Sequence, residues 1–224
     1  MDGRAARWAG QRATRRAEVI AAALSVIAEH GPQVSTEQIA EHARIARPTL
    51  YRHFDGADDL YDSVAQRIGE LLVAELAPVI LHPHGSAREL ITRVVRTYVV
   101  WFSENVRLYE YLVSWSMRLQ AGEQQQATAV RHQIGELLRA LIAEYVALFS
   151  GDPQVADPLA FGLVGMVETA AARWVTTPHA SLDRDDLIFH LTGWAWGAFD
   201  VALREIGIQL DPDIPLPELP GRST

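Results

Sequence analysis

Six side chains between Arg44 and His53 concentrate the recognition chemistry of this sequence. Arg44, Arg47, Thr49, Tyr51, Arg52 and His53 bring guanidinium, hydroxyl, phenol and imidazole donors into one short stretch, with Pro48 among them. Such donors suit the phosphate oxygens and base edges of nucleic acid. Tyr51 as half-core packing and His53 as a satisfied surface histidine are the structural alternatives.

Two short helical patterns must position these groups. The first spans Ser35 to about His42, the second about Arg47 to His53. Ser35 can cap the first, Gln38 three residues on can close a capping box, and Val34 can staple onto Ile39. Pro48 falls in the first turn of the second, where a missing N–H costs nothing. Ile45 and Leu50 have the spacing of a second staple. Two helices joined by a tight turn, the second rich in donors, predict a DNA-binding helix-turn-helix.

A supporting helix is expected upstream from Thr14, its plausible N-cap, to the Gly31-Pro32 break. Ala17, Ile20, Ala21, Leu24, Ile27 and Ala28 form its apolar period. Leu50 and Phe54 should pack onto Ile20, Leu24 and Ile39. Arg15 and Arg16 would sit in the first turn, where cations are unfavourable unless an anion such as a DNA phosphate is near. Residues 1–13 show no apolar period and hold Arg4, Arg7 and Arg12, which fits either a loose terminus or a basic arm on DNA.

Charge distribution supports this reading more than total charge does. The chain of 224 residues carries −8 overall. Residues 1–54 hold eight Arg against five acids, and residues 55–224 hold twelve Arg against 23 acids. A basic head on an acidic body fits a modular DNA binder, because only the contact face must neutralise phosphate. Cysteine is absent, which excludes disulfides, thiolate metal sites and a cysteine nucleophile. No segment has the form of a secretory leader, and no apolar run is expected to span a bilayer. The expectation is a cytoplasmic protein with no membrane partner.

The run IAEHARIARPTLYRHFDGADDL resembles the signature of TetR-type regulators, which are similar to the tetracycline repressor. Its components are Ile39-Ala40, Thr49, Leu50-Tyr51-Arg52-His53-Phe54 and Asp58-Asp59-Leu60. The resemblance implies that Tyr51 and His53 contact phosphate, as does Ser35 at its helix start. It also implies that Arg47, Pro48 and Thr49 approach base edges. Arg47 is the candidate for a guanine, since a guanidinium matches O6 and N7 together. Three positions depart from the family pattern. Arg44 replaces the turn glycine, Ala46 replaces a Ser or Thr cap, and Ala57 replaces a phosphate-contacting lysine. Arg44 and Arg47 would then compensate as phosphate contacts.

Beyond Leu60 the pattern is helical throughout and the expected fold is all-α. Helices are predicted at about 57–77, 86–104, 106–119, 123–150, 157–177 and 182–207, with Pro78 ending or kinking the first. The expected domains are 1–56 (arm and helix-turn-helix), 57–210 (effector-binding and dimerisation) and 211–224, a proline-rich tail that is disordered or draped. Gly193 and Gly197 lie one turn apart, and Gly in a helix interior asks for a packing reason. Close packing within one chain is one reading. The resemblance favours a homodimer in which the last two helices of each protomer form a four-helix interface.

The resemblance also implies a cavity for a small effector, largely apolar. Tyr98, Trp101, Phe102, Tyr111, Trp115 and Met166 are the candidate lining residues, with Asn105, His132, Glu168 and Arg173 as polar groups that could orient a ligand. No cofactor, metal site or catalytic residue is expected. His82 and His84 lack partners for a metal, and no nucleophile set or phosphate-cradling loop supports an enzyme. The expected function is therefore a ligand-responsive repressor acting on double-stranded DNA at a pseudo-palindromic operator. The alternative is an all-α interaction module or enzyme without DNA binding.

Overall fold

The computed structural model describes residues 3–118, 125–177 and 182–219, and side chains within 10–114, 129–177 and 182–219. Its helices are α1 (Gly3–His30), α2 (Thr36–His42), α3 (Arg47–Leu50), α4 (Gly56–Leu81), α5 (Ala87–Glu104), α6 (Val106–Arg118), α7 (Gln125–Leu148), α8 (Ala156–Thr176) and α9 (Arg184–Glu205). A 3-10 turn at Pro153–Val155 precedes α8. No strand occurs among the described residues, so the fold is all-α as expected. The chain divides into two compact units, Met1–Glu70 with Asn105–Ala127, and Leu71–Glu104 with Thr128–Thr224.

The second unit is built on α5, α8 and α9, which pack on one another. Ile142, Val146, Ala156, Ala160, Leu203 and Ile208 form a buried cluster in it. Gly135 permits a close approach, because a Cβ there would meet the Phe161 ring at 2.5 Å. Pro78 does not end α4, which runs on to Leu81. A proline so near a C-terminus removes one N–H and leaves most of the ladder intact. Ser86 and Glu89 exchange bonds at the start of α5, Glu89 N–H to Ser86 Oγ at 3.2 Å and Ser86 N–H to Glu89 Oε2 at 2.8 Å. The tail is draped: Leu216 N–H donates to Gly85 O at 2.9 Å and Arg88 N–H to Pro212 O at 3.0 Å.

One sequence expectation needs correction here. Pro153–Thr176 is long and apolar enough, by length and composition alone, to cross a bilayer. Yet α8 packs on α5 and α9, with Ala156, Ala160, Val164 and Ala171 buried and its other residues half-buried or exposed. The stretch therefore combines one packed face with a second, uncovered one.

In the first unit α1 packs on α2 and α6, and α2 packs on α3. Helix α1 begins at Gly3, well upstream of the predicted start. Thr14 is consequently no N-cap; it lies inside the helix and its Oγ1 donates to Gly10 O at 3.0 Å. Alanine, arginine and glutamine are strong helix formers, and they carry α1 through a region without apolar period. Its buried face is rotated from the predicted one. Ile27 is buried as predicted and Ile20 and Leu24 are half-buried, but Val19, Ala23 and Val26 complete the buried face while Ala17, Ala21 and Ala28 are exposed.

Arg16 ties this unit together. Its guanidinium holds the Asp59 carboxylate at 2.8 and 2.9 Å, the Ser63 hydroxyl at 2.7 Å and the His53 carbonyl at 2.7 Å. It also lies 4.3 Å from the Phe54 ring centroid. Asp59 further accepts the Asp55 N–H at 2.8 Å. One side chain of α1 thus joins the end of the turn after α3 to the start of α4. Sequence placed Arg16 in a first turn facing phosphate, but its donors are engaged within the unit. Arg15 pairs on the surface with Glu18.

The Arg16 hydrogen bonds hold the Asp59 carboxyl at about 2, well below its usual value. Lowered in the folded state, this group stabilises the fold fully above about pH 4, and the contribution is lost as pH falls toward 2. Allowing for partial exposure, it is worth on the order of 1–2 kcal/mol. In urea titrations Asp59→Asn should be less stable than the parent at pH 6, with the gap closing between pH 4 and pH 2. A gap that stays constant to pH 2 would rule out this pairing as the source.

Candidate nucleic-acid interface and body cavity

The helix-turn-helix is set by local hydrogen bonds. Ser35 forms the expected capping box, with Gln38 N–H donating to Ser35 Oγ at 3.2 Å and Ser35 N–H to Gln38 Oε1 at 2.9 Å. At the other end of α2, Arg44 N–H bonds Glu41 O and Ile45 N–H bonds Ala40 O, both at 3.0 Å. This is the Schellman arrangement, whose reversing residue is usually glycine. Here Arg44 adopts φ 54, a left-handed conformation costing a non-glycine residue roughly 1–2 kcal/mol.

Helix α3 is shorter than predicted. Ala46 stands at its N-cap and makes no side-chain cap. The α-helix ends at Leu50, and the chain continues through tighter bonds, Arg52 N–H to Thr49 O at 3.2 Å and His53 N–H to Leu50 O at 2.9 Å. A four-residue helix cannot persist by itself. Leu50 and Phe54, both fully buried, anchor it to the core.

The outward surface carries the predicted donors in a partly self-satisfied state. Arg47 Nη1 lies 2.7 Å from Glu37 Oε1, each side chain being a little over half exposed. The Arg47 guanidinium is 5.7 Å from the Tyr51 ring centroid. Tyr51 OH approaches the buried Thr36 hydroxyl at 3.4 Å, and Arg52 Nη2 donates to Thr49 Oγ1 at 2.8 Å. Arg44, Pro48 and Arg52 are exposed, while His53 is half-buried with no partner for Nδ1 among the described residues. A backbone hydrogen bond at the start of α2, with the Arg47 charge, holds the Glu37 carboxyl below its usual value. Glu37 was not foreseen, because an acid in a first turn already complements the helix dipole and so draws no attention.

The second unit holds a separate, partly open apolar cavity of about 120 Å³. Leu90, Val94 and Tyr98 of α5, Leu138, Leu141 and Tyr145 of α7, Val164 of α8 and Phe199 and Leu203 of α9 line it, and no charged side chain does. Of the five predicted lining residues whose side chains are described, only Tyr98 takes part. Trp101 and Phe102 are buried, and the Phe102 ring stacks on Tyr98 at 4.7 Å outside the lining. Tyr111 belongs to the first unit, where its ring lies 6.2 Å from Tyr61. Met166 is half-buried on α8 outside the lining, and the Trp115 side chain lies outside the described residues. Among the proposed polar groups, Glu168 pairs with Arg131 at 2.6 and 2.9 Å and His132 lies against Phe161 at 5.5 Å. Sequence favoured aromatics, but the wall is largely Leu, Ile and Val from helices whose packing no periodicity specifies.

Comparison with known proteins bears on both units. The profile of bacterial regulatory proteins of the tetR family matches residues 19–64, and that of the tetracyclin repressor-like C-terminal domain matches residues 75–208. An uncharacterised HTH-type transcriptional regulator of Mycobacterium tuberculosis is 25% identical over 197 residues, covering 88% of this chain and 82% of that protein. The HTH-type transcriptional activator FasR of Mycolicibacterium smegmatis is 24% identical over 188 residues, covering 83% of each. The crystal structure of a tetR-family regulator from Streptomyces coelicolor superposes with a TM-score of 0.68 at 20% identity, over 86% of this chain and 83% of that one.

The uncapped start of α3 is a removable weakness. Ala46→Ser should supply an acceptor to the second or third amide of α3 and stabilise the protein by about 1 kcal/mol. The check is a rise in the urea midpoint at unchanged slope. An unchanged midpoint would mean that the N-terminal amides of α3 are already satisfied by solvent.

Proposed function

The chain belongs to the tetR family of bacterial regulatory proteins, and from that membership we propose a ligand-responsive repressor that binds a pseudo-palindromic operator as a homodimer. The observation that carries the DNA reading is the outward surface of α3, where Arg47, Thr49, Tyr51 and Arg52 stand over the buried Leu50 and Phe54. In this reading Arg47 leaves Glu37 to pair with a guanine edge, with Pro48 and Thr49 beside it. Ser35, Arg44, Tyr51, Arg52 and His53 contact phosphate, and Arg15 adds charge nearby. Arg16 serves DNA binding indirectly, by holding the end of the α3 turn. The regulator acts in the cytoplasm, where its operator lies.

The dimer reading rests on the free surfaces of α8 and α9. A Cβ built on Gly162, Gly165, Gly193 or Gly197 meets nothing within 4 Å, so close packing inside the chain does not explain these glycines. Phe189, Trp194 and Val201 on α9 are 74%, 54% and 56% exposed. An apolar face this open calls for a partner, and a two-fold pairing would bury α8 and α9 against their copies. The apolar cavity supports an effector that is itself largely apolar. Repression is favoured by the likeness of the body to the tetracyclin repressor C-terminal domain.

A mobility-shift titration with the DNA upstream of the chain's own gene, at two salt concentrations, tests the central reading. Specific, salt-sensitive binding is expected, and its absence would defeat it. Arg47→Ala should cost about 1–3 kcal/mol and relax one base position. A uniform loss across all operator variants would instead make Arg47 a phosphate contact. Gly197→Glu meets open space within the chain, so it should fold and sediment as a monomer where the parent is a dimer. A dimeric Gly197→Glu would place the interface on another surface.

A further inference from the structure

After α9 the chain turns back across the start of α5. The Asp211 carboxylate accepts the Asp213 N–H at 3.0 Å, which makes the turn. Pro212 O accepts the Arg88 N–H at 3.0 Å, and Asp213 pairs with Arg88 Nε at 2.7 Å. Pro215 forms an antiparallel bridge with Ser86, and Leu219 is buried at the far end. Between Pro215 and Pro217 the only N–H belongs to Leu216, and it donates to Gly85 O at 2.9 Å. Gly85 has φ +75, so the carbonyl that anchors the strap sits on a backbone suited to glycine. Prolines restrict the free segment beforehand, which lowers the entropy lost on docking.

The strap has a second face. Leu216 lines the apolar cavity, as does Leu210 where the strap begins. The profile matched by the body ends at residue 208, so these two walls lie beyond what family membership accounts for. On the outer side Arg88 and Asp213 are 43% and 68% exposed, and such an ion pair holds weakly. Ile214 points to solvent at 59% exposure. The strap therefore joins a half-buried apolar wall residue within to an exposed ion pair that separates at little cost.

We propose that Asp211–Leu219 is a movable wall of the cavity and that Leu216 sets the size of the neutral, apolar molecule the body admits. This rests on the effector reading above. A cavity of about 120 Å³ without charged lining suits a single ring or a short alkyl chain, since comparable apolar cavities of about 150 Å³ take up benzene. Larger molecules enter only as the strap yields. Ligand exchange follows the parting of the Arg88–Asp213 and Leu216–Gly85 contacts.

The test uses the full chain and a homologous series from benzene to hexylbenzene, with binding measured by calorimetry after circular dichroism has verified each variant's fold. The parent should bind the short members and lose affinity beyond a definite chain length. Leu216→Ala should move that cut-off to a longer member, with affinity for the first excluded homologue rising about tenfold. Leu216→Phe should move it to a shorter one, and exposed Ile214→Ala should leave it in place. Asp213→Asn should raise association and dissociation rates together. If the parent binds but neither Leu216 variant moves the cut-off, the strap has no role in selection while the effector reading stands. If the parent binds no member of the series, both readings fail.

Discussion

A recognition helix of four residues is too short to hold its own position, and the first unit is organised around that constraint. Arg16 meets it from outside. Its guanidinium takes the carbonyl at the end of the α3 turn, the carboxylate at the start of α4 and the face of Phe54 at once. A lysine has one compact charge and no planar fork, and it could not serve these partners together. The buried pair Leu50 and Phe54 supplies the attraction, and Arg16 supplies the direction in which the helix faces.

The same economy governs the DNA-facing side. Arg47 is held by Glu37 and lies near the Tyr51 ring, so in the proposed DNA contact its guanidinium is ordered beforehand. Ordering beforehand reduces the side-chain entropy lost on binding. The acid sets a threshold as well. In the proposed contact a phosphate or a guanine must outcompete Glu37, whereas a less complementary base must do so with fewer hydrogen bonds. Arg44 carries a parallel compromise. It gives the turn a cation at the cost of a left-handed backbone that glycine would adopt freely.

Much of this was legible in sequence. The capping box of Ser35 and Gln38, the missing cap at Ala46 and the positions of α5 to α9 all follow from local patterns, because each depends on residues within a turn or two. The buried face of α1 was legible only in part: Ile27 lies on it, but apolar residues occur all round the middle of α1, so periodicity does not choose between Ala17 and Ala21 on one side and Val19, Ala23 and Val26 on the other. The partners of Arg16 were not legible, because they lie 37 to 47 residues away and no local rule connects them. The cavity was the least legible part. Its lining is drawn from five helices and the tail, and the large aromatics of α5 and α6 are mostly packing material beside it.

A cavity without charged lining limits how an effector can be chosen. With no ion pair to orient the ligand, discrimination rests on size and shape, where one methylene is worth about 1–3 kcal/mol. Tight binding by itself would regulate nothing, since only a difference in affinity between the DNA-competent and DNA-incompetent states shifts their populations. A rigid apolar cavity bound equally well in both states gives no such difference. A wall that moves, as proposed for the strap, would give one, because a ligand that fills the cavity with the strap in one position loses contacts with the strap in another. In the proposed reading the draped segment thus gives an apolar ligand a means of preferring one conformation of the body.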